Sequence, residues 1–266
     1  MRMMTIASGS SGNCTYIGDD TTHILIDAGI SGKRIEEGLK KADITPKDLD
    51  GIFITHEHID HISGVGVLSR KYNIPIYATA GTVRGIQTCR SVGQIDPDLY
   101  QIIDRNEVTE IGTMMMMAHP ISHDAADPVC YRATAGDYSV AVATDLGCYD
   151  EGIVEFLQGL DAIVLEANHD INMLQVGSYP YQLKQRILGD KGHLCNEKAG
   201  QLLCRILHDR MQKIRLGHLS QDNNLPQLAS EAVKLEVTLG RNPYRAEDFD
   251  IRVAERSEPG DLILIA

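Results

Sequence analysis

Gly51-Ile-Phe-Ile-Thr-His-Glu-His-Ile-Asp-His61 is the stretch on which the reading of this chain turns. Gly51 to Thr55 is a short apolar run with β-branched and aromatic residues, which predicts a buried strand. The strand gives way at once to His56, His58 and His61, with Asp60 among them. Neutral imidazole and carboxylate are the usual nitrogen and oxygen ligands of zinc and similar divalent ions. In extended backbone alternate residues share a side, so His56 and His58 can reach one ion. Asp60 and His61 then point elsewhere, which implies a second ion close by. The plain alternative is a polar surface loop that happens to be rich in histidine. Three imidazoles and a carboxylate within six residues, at the mouth of a buried strand, speak against it.

Composition sets the frame. The 266 residues are 43% hydrophobic, with no Trp and only 3 Phe, so Ile, Leu, Val, Met and Ala must build the core. No apolar run approaches the roughly 20 residues of a membrane span, and the N-terminus lacks the apolar region of a signal peptide. Six scattered cysteines without a CxxC pair read as free thiols in a reducing cytoplasm. The formal charge of −12 argues against a nonspecific nucleic-acid coat. Yet Lys184 to Arg215 carries eight Lys/Arg against three Asp/Glu, a local +5. Such a segment suits a small footprint on an anionic substrate, or it is the solvated face of a helix.

Along the chain a layout recurs in which a buried strand ends in a polar residue. Met3 to Ala7 predicts a strand running into the small-residue loop Ser8-Gly-Ser-Ser-Gly-Asn-Cys14. Such a loop presents backbone N–H groups to an anion or simply turns the chain. Strands ending near Asp27, Asp145, Glu166 and His218 follow, and His123 comes after another, with His119 close behind it. Asp27 either orients a metal ligand from behind or merely forms a turn. Helices are predicted over Ser31 to Lys41, after the histidine motif, near Thr82 to Cys89, from Asn196 as N-cap, and over Leu225 to Leu239. Val108 to Met117 reads as one strand, its four consecutive methionines filling core space. Strand–helix–strand units of this length predict a layered α/β fold. No linker or repeat appears, so one domain over 1–266 is expected.

These residues resemble the His-x-His-x-Asp-His signature of the metallo-β-lactamase superfamily, and the resemblance extends over nearly the whole chain. It implies a four-layer αββα sandwich with two divalent ions at one edge. His56, His58 and His123 would bind the first ion, Asp60, His61 and His218 the second, and Asp145 would bridge them. The finer resemblance is to the YycJ (WalJ) group. It is carried by Ser8-Gly-Ser-Ser-Gly-Asn-Cys, Thr55-His-Glu-His-Ile-Asp-His, His123-Asp-Ala-Ala-Asp-Pro-Val, Leu165-Glu-Ala-Asn-His-Asp, Gly192-His-Leu-Cys-Asn-Glu and Leu216-Gly-His-Leu-Ser. That group is similar to RNase Z, RNase J and the SNM-type exonucleases.

The resemblance implies hydrolysis of nucleic-acid phosphodiesters, with 5′-to-3′ exonuclease action on DNA as the leading reading. The ions would be Zn or Mn, with Fe also accommodated by five His and two carboxylates. The catalytic residues implied are Asp60, as a ligand of the second ion, and the Glu166/His193 pair, which resembles the proton-donating pair of RNase Z. Ordinary roles for that pair are a cap by Glu166 and a helix start at His193. His169 lies close enough in sequence to touch phosphate or a ligand. Only about 70 residues separate Asp145 from His218, too few for a β-CASP insertion, so the core fold and the basic segment would have to grip the substrate. Two rivals stand. One is a thioester or lactone hydrolase of the same fold, like glyoxalase II, which the charge of −12 favours. The other is a non-catalytic regulatory protein that keeps a metal for stability.

Overall fold

The computed structural model describes residues 1–105 and 107–266, which form two compact units. The first unit holds residues 1–120, 125–138 and 255–266; the second holds 121–124 and 139–254.

In the first unit, β1 (Arg2–Ala7), β2 (Cys14–Gly18) and β3 (His23–Ile26) pair antiparallel. From β3 the sheet continues parallel through β4 (Gly51–Phe53), β5 (Ile76–Ala78) and β6 (Tyr100–Ile102). The C-terminal pair Ile263–Leu264 closes the other edge against β1. Parallel neighbours need crossovers, and helices supply them. These are α1 (Gly32–Leu39), the single turn α2 (Ile59–Ile62), α3 (Val65–Tyr72) and α4 (Ala80–Thr88). β4 is an interior strand and buried throughout, which accounts for its apolar run. Ile35 and Leu39 of α1 and Val65 and Leu68 of α3 join the strands' inner residues in one core.

The stretch read as one strand over Val108 to Met117 is a hairpin. β7 (Thr109–Ile111) turns at Gly112 into β8 (Met114–Pro120), which pairs with β9 (Val129–Ala135). Gly112 has φ of 54°, the left-handed conformation that a tight hairpin turn favours. The methionines alternate accordingly: Met114 and Met116 are buried, Met115 and Met117 exposed.

The second unit is built on four parallel strands, β10 (Tyr138–Ala143, from its second residue), β11 (Ala162–Glu166), β12 (Lys213–Gly217) and β13 (Asp250–Val253). Its helices are α5 (Glu151–Phe156), α6 (Ile171–Val176), α7 (Tyr181–Leu188), α8 (Asn196–Ile206) and α9 (Pro226–Leu239). α8 buries Ala199, Leu202, Leu203 and Ile206, which lie at the i, i+3, i+4, i+7 spacing of one helix face. Asn196 is not its N-cap. Cys195 holds that place, and Asn196 exchanges amide hydrogen bonds with Asn224 at 2.8 and 3.1 Å. Among the described residues no helix is long and apolar enough to cross a membrane.

Candidate metal centre

Strand β4 delivers the histidine motif. Its apolar residues end at Ile54, Thr55 follows, and His56 is fully buried. His58 begins the single turn α2, which places Asp60 and His61 one turn on. The ring of His56 lies 4.6 Å from that of His58 and 4.1 Å from that of His61, centroid to centroid. The first unit therefore gathers His56, His58, Asp60 and His61.

Behind these rings stands Asp27. It sits just past β3 with φ of 61°, a conformation an aspartate tolerates better than most side chains. Its Oδ1 accepts from the Thr55 N–H at 2.9 Å, and its Oδ2 accepts from the Thr55 hydroxyl at 2.9 Å and from His61 Nδ1 at 2.7 Å. Thr55 Oγ1 also lies 3.0 Å from His56 Nδ1. Of the two readings open for Asp27, the geometry matches the orienting one. The Ser8–Cys14 loop forms the adjoining wall. Asn13 Nδ2 is 3.1 Å from His61 Nε2, and the Asn13 N–H donates to the Asp60 carbonyl at 2.8 Å. Gly29 packs so tightly on this loop that a Cβ there would fall 1.6 Å from the Asp60 carbonyl oxygen. Only glycine admits that approach.

In the second unit the carboxyl ends of three parallel strands supply the polar groups. Asp145 follows β10, Glu166 ends β11, and His218 follows β12. Glu166 and Gly217 are register partners, so Glu166 and His218 come out beside each other. Asp145 and His218 have φ of 61° and 54°. Left-handed backbone at non-glycine strand ends is uncommon and concentrates at functional sites.

Glu166 is completely buried and takes four hydrogen bonds. Its Oε1 accepts from His193 Nδ1 at 2.9 Å and His218 Nδ1 at 2.8 Å, and its Oε2 from the N–H groups of Leu146 at 2.8 Å and Leu194 at 3.0 Å. Burial alone would raise its pKa, but His193 and these hydrogen bonds hold it well below the ordinary carboxylate range. His193 shifts upward in turn: burial opposes its charge, and the Glu166 carboxylate outweighs burial. His123 Nδ1 lies 3.1 Å from the Gly192 carbonyl, and His123 Nε2 lies 3.6 Å from Asp145 Oδ1. The second unit thus gathers His123, Asp145, Glu166, His193 and His218.

The family model of the metallo-β-lactamase superfamily matches residues 7–176. The chain belongs to the metallo-β-lactamase superfamily. It is 40% identical over 233 residues to the exodeoxyribonuclease YycJ of Bacillus anthracis, covering 88% of each chain. It is 42% identical over 224 residues to the exodeoxyribonuclease WalJ of Streptococcus pneumoniae, covering 84% of this chain and 83% of that one. Among solved structures, PqqB of Methylobacterium extorquens matches 98% of this chain and 100% of its own with a TM-score of 0.73 at 16% identity, a likeness of fold. The α/β class expected from the sequence is thus the metallo-β-lactamase fold.

Membership of this superfamily implies divalent metal ions, and the side chains present fit them. His56, His61, His123 and His218 are each anchored through Nδ1, on Thr55, Asp27, the Gly192 carbonyl and Glu166 respectively. Anchoring at Nδ1 fixes the ring and leaves Nε2 as the nitrogen that could take a metal. Donor atoms of Asp145, Glu166, His193 and His218 also lie within 4.8 Å of one another. Glu166 is nonetheless no ligand, because four donors already occupy the sites of its two oxygens.

His169 is buried, with Nδ1 3.3 Å from Asn168 Oδ1, and burial pushes its pKa down to about 4. One expectation changes. The 184–215 segment is not a free basic patch. Lys184 donates to the carbonyls of Gln175 and Gly177, Arg186 pairs with Asp124, Arg205 with Glu151, and Lys213 and Arg215 with Asp250. Sequence reasoning also missed Asn13 and Thr55 as supports. Their only signal was their place inside the two motifs.

Proposed function

We propose that this chain is a metal-dependent hydrolase of nucleic-acid phosphodiesters, a DNA exonuclease working from the 5′ end in the cytoplasm. The curated relatives named exodeoxyribonucleases support it, with identities of 40% and 42% over most of each chain. The observation that carries the reading is the buried Glu166 with His193 Nδ1 at 2.9 Å. The six free cysteines suit a reducing compartment.

For the ligands we propose His56, His58 and His123 on one ion, Asp60, His61 and His218 on the other, and Asp145 on both, the whole chain serving as one functional domain without a β-CASP insertion. Zn or Mn is the proposed metal, with Fe as the third choice. When bound, two divalent ions lower the pKa of water toward neutrality and offset charge building at phosphorus. The protein's own part is positional and acid–base. Glu166 keeps Nδ1 of His193 protonated, so Nε2 is the atom that donates. A departing 3′-oxyanion is a poor leaving group, and a proton from His193 Nε2 lets it go. His193 is suited to this because its side chain remains 19% exposed while Glu166 is sealed. Glu166 is therefore a positioning residue that acts through His193 and His218.

One observation favours a second reading. Five cations of the 184–215 segment are already engaged, and the net charge is −12, which suits a small thioester or lactone substrate. Turnover of linear DNA, a thioester and a lactone by the Zn- and Mn-loaded protein separates the two. The nuclease reading expects DNA cleavage that Asp145→Ala abolishes. Turnover of the thioester or lactone alone overturns it.

A further inference from the structure

Residues 61–95 form the longest run of the chain without Asp or Glu, thirty-five residues that carry Arg70, Lys71, Arg84 and Arg90. Two of these cations are spent inside the first unit. Arg70 donates to the Val92 and Gln94 carbonyls, and Lys71 pairs with Glu36. Arg84 and Arg90 are exposed, and among the described residues neither has a hydrogen bond or an ion pair. In an acidic chain with four of the eight cations of its other basic segment in ion pairs, these two exposed arginines are available to an anion from outside.

Arg84 lies on α4, and Arg90 lies two residues past its end. Gly85 presses that helix onto Glu57, between His56 and His58, and Gly81, four residues earlier, presses it onto Asp127. A Cβ at Gly85 would fall 2.4 Å from Glu57 Cγ, and one at Gly81 2.4 Å from Asp127 Cβ. Residues three and four apart share a helix face. Arg84, three beyond Gly81 and next to Gly85, is thus an exposed cation on the helix that packs on Glu57. Glu57, whose Oε1 accepts from the Ala126 N–H at 2.8 Å, forms no ion pair with it. Asp127, the other acid at this contact, pairs with Arg105 at 3.2 Å.

We infer that Arg84, with Arg90 six residues on, grips backbone phosphate of the nucleic-acid strand next to the bond being cut. The inference rests on the nuclease reading and adds a grip on the first unit. A guanidinium suits this, because its fork meets two phosphate oxygens at once. The contact positions the strand and reads no sequence.

The test is steady-state cleavage of single-stranded DNA by the metal-loaded protein between about 50 and 200 mM salt, comparing wild type with Arg84→Ala, Arg84→Lys and Lys47→Ala, which removes an exposed cation elsewhere. Arg84→Ala is expected to raise KM about tenfold, as for one lost charged hydrogen-bonded contact, with kcat nearly unchanged. Its plot of log kcat/KM against log salt should flatten by about 0.7. Arg84→Lys should recover part of the loss, and Lys47→Ala should match wild type. An Arg84→Ala protein with the KM and salt slope of Lys47→Ala overturns the inference, and so does a lowered Tm with kcat lost. Wild-type protein that cleaves no DNA brings down the nuclease reading itself, a different result from an indifferent Arg84 variant.

Discussion

Glu166 Oε1 lies 2.8 Å from Nδ1 of His218, a residue 52 positions further along the chain. The same oxygen lies 2.9 Å from Nδ1 of His193. One buried carboxylate thus orients a proposed metal ligand and a proposed proton donor together. It can do so because β11 and β12 run parallel and in register, so the two strand ends are neighbours.

If His193 protonates the leaving oxygen, its loss should matter in proportion to how badly that oxygen needs a proton. His193→Ala is expected to lower kcat on DNA by about 10²–10⁴-fold. On bis(p-nitrophenyl) phosphate, whose nitrophenolate leaves without a proton, the variant should keep most of its rate. Equal losses on both substrates would remove the acid role.

Glu166→Gln keeps the shape and removes the charge. The new amide brings two N–H donors to a site where four donors already converge, so at least one is left facing another donor. Breaking such a buried network costs about 3 kcal/mol or more. Thermal unfolding should show the loss. Metal content measured after dialysis should fall too, since His218 loses its anchor, whereas His193→Ala should leave metal content unchanged.

Asp27→Asn isolates the support of His61. Asparagine tolerates the left-handed backbone at this position, so the chain path survives while the carboxylate is lost. Loss of such an anchor typically weakens metal affinity by about 10–100-fold. Competition with a chromophoric chelator should report that drop. Asp27→Ala should add a stability cost that the Asn variant lacks.

Much of this was legible in the sequence. The strands ending near Asp27 and Asp145 are mainly apolar runs, because strands covered on both faces need no alternation, whereas the strand before His218 alternates Lys213, Ile214, Arg215 and Leu216. The Val108–Met117 hairpin was harder, since its turn rests on a lone Gly112 between residues that all suit a strand. β2 and α5 gave little signal: Cys14–Gly18 is short and follows directly on the glycine-rich loop, and the six residues of α5 hold too few turns for a clear period. The basic segment misled for a different reason. Charges are counted along the chain, but Arg205 meets Glu151 and Arg215 meets Asp250, partners 54 and 35 residues away. Asn13 and Thr55 were invisible as supports because small polar residues in loops occur everywhere. Only their distances to His61 and Asp27 give them a role.

Digestion of linear DNA labelled at its 5′ or its 3′ end, by protein loaded with Zn or with Mn and with Asp145→Ala beside it, tests the central claim most directly. The account predicts that mononucleotides carrying the 5′ label appear first, that the 3′ label stays on long fragments until late, and that the variant releases neither. DNA left intact with either metal, or the same release by Asp145→Ala, would contradict it.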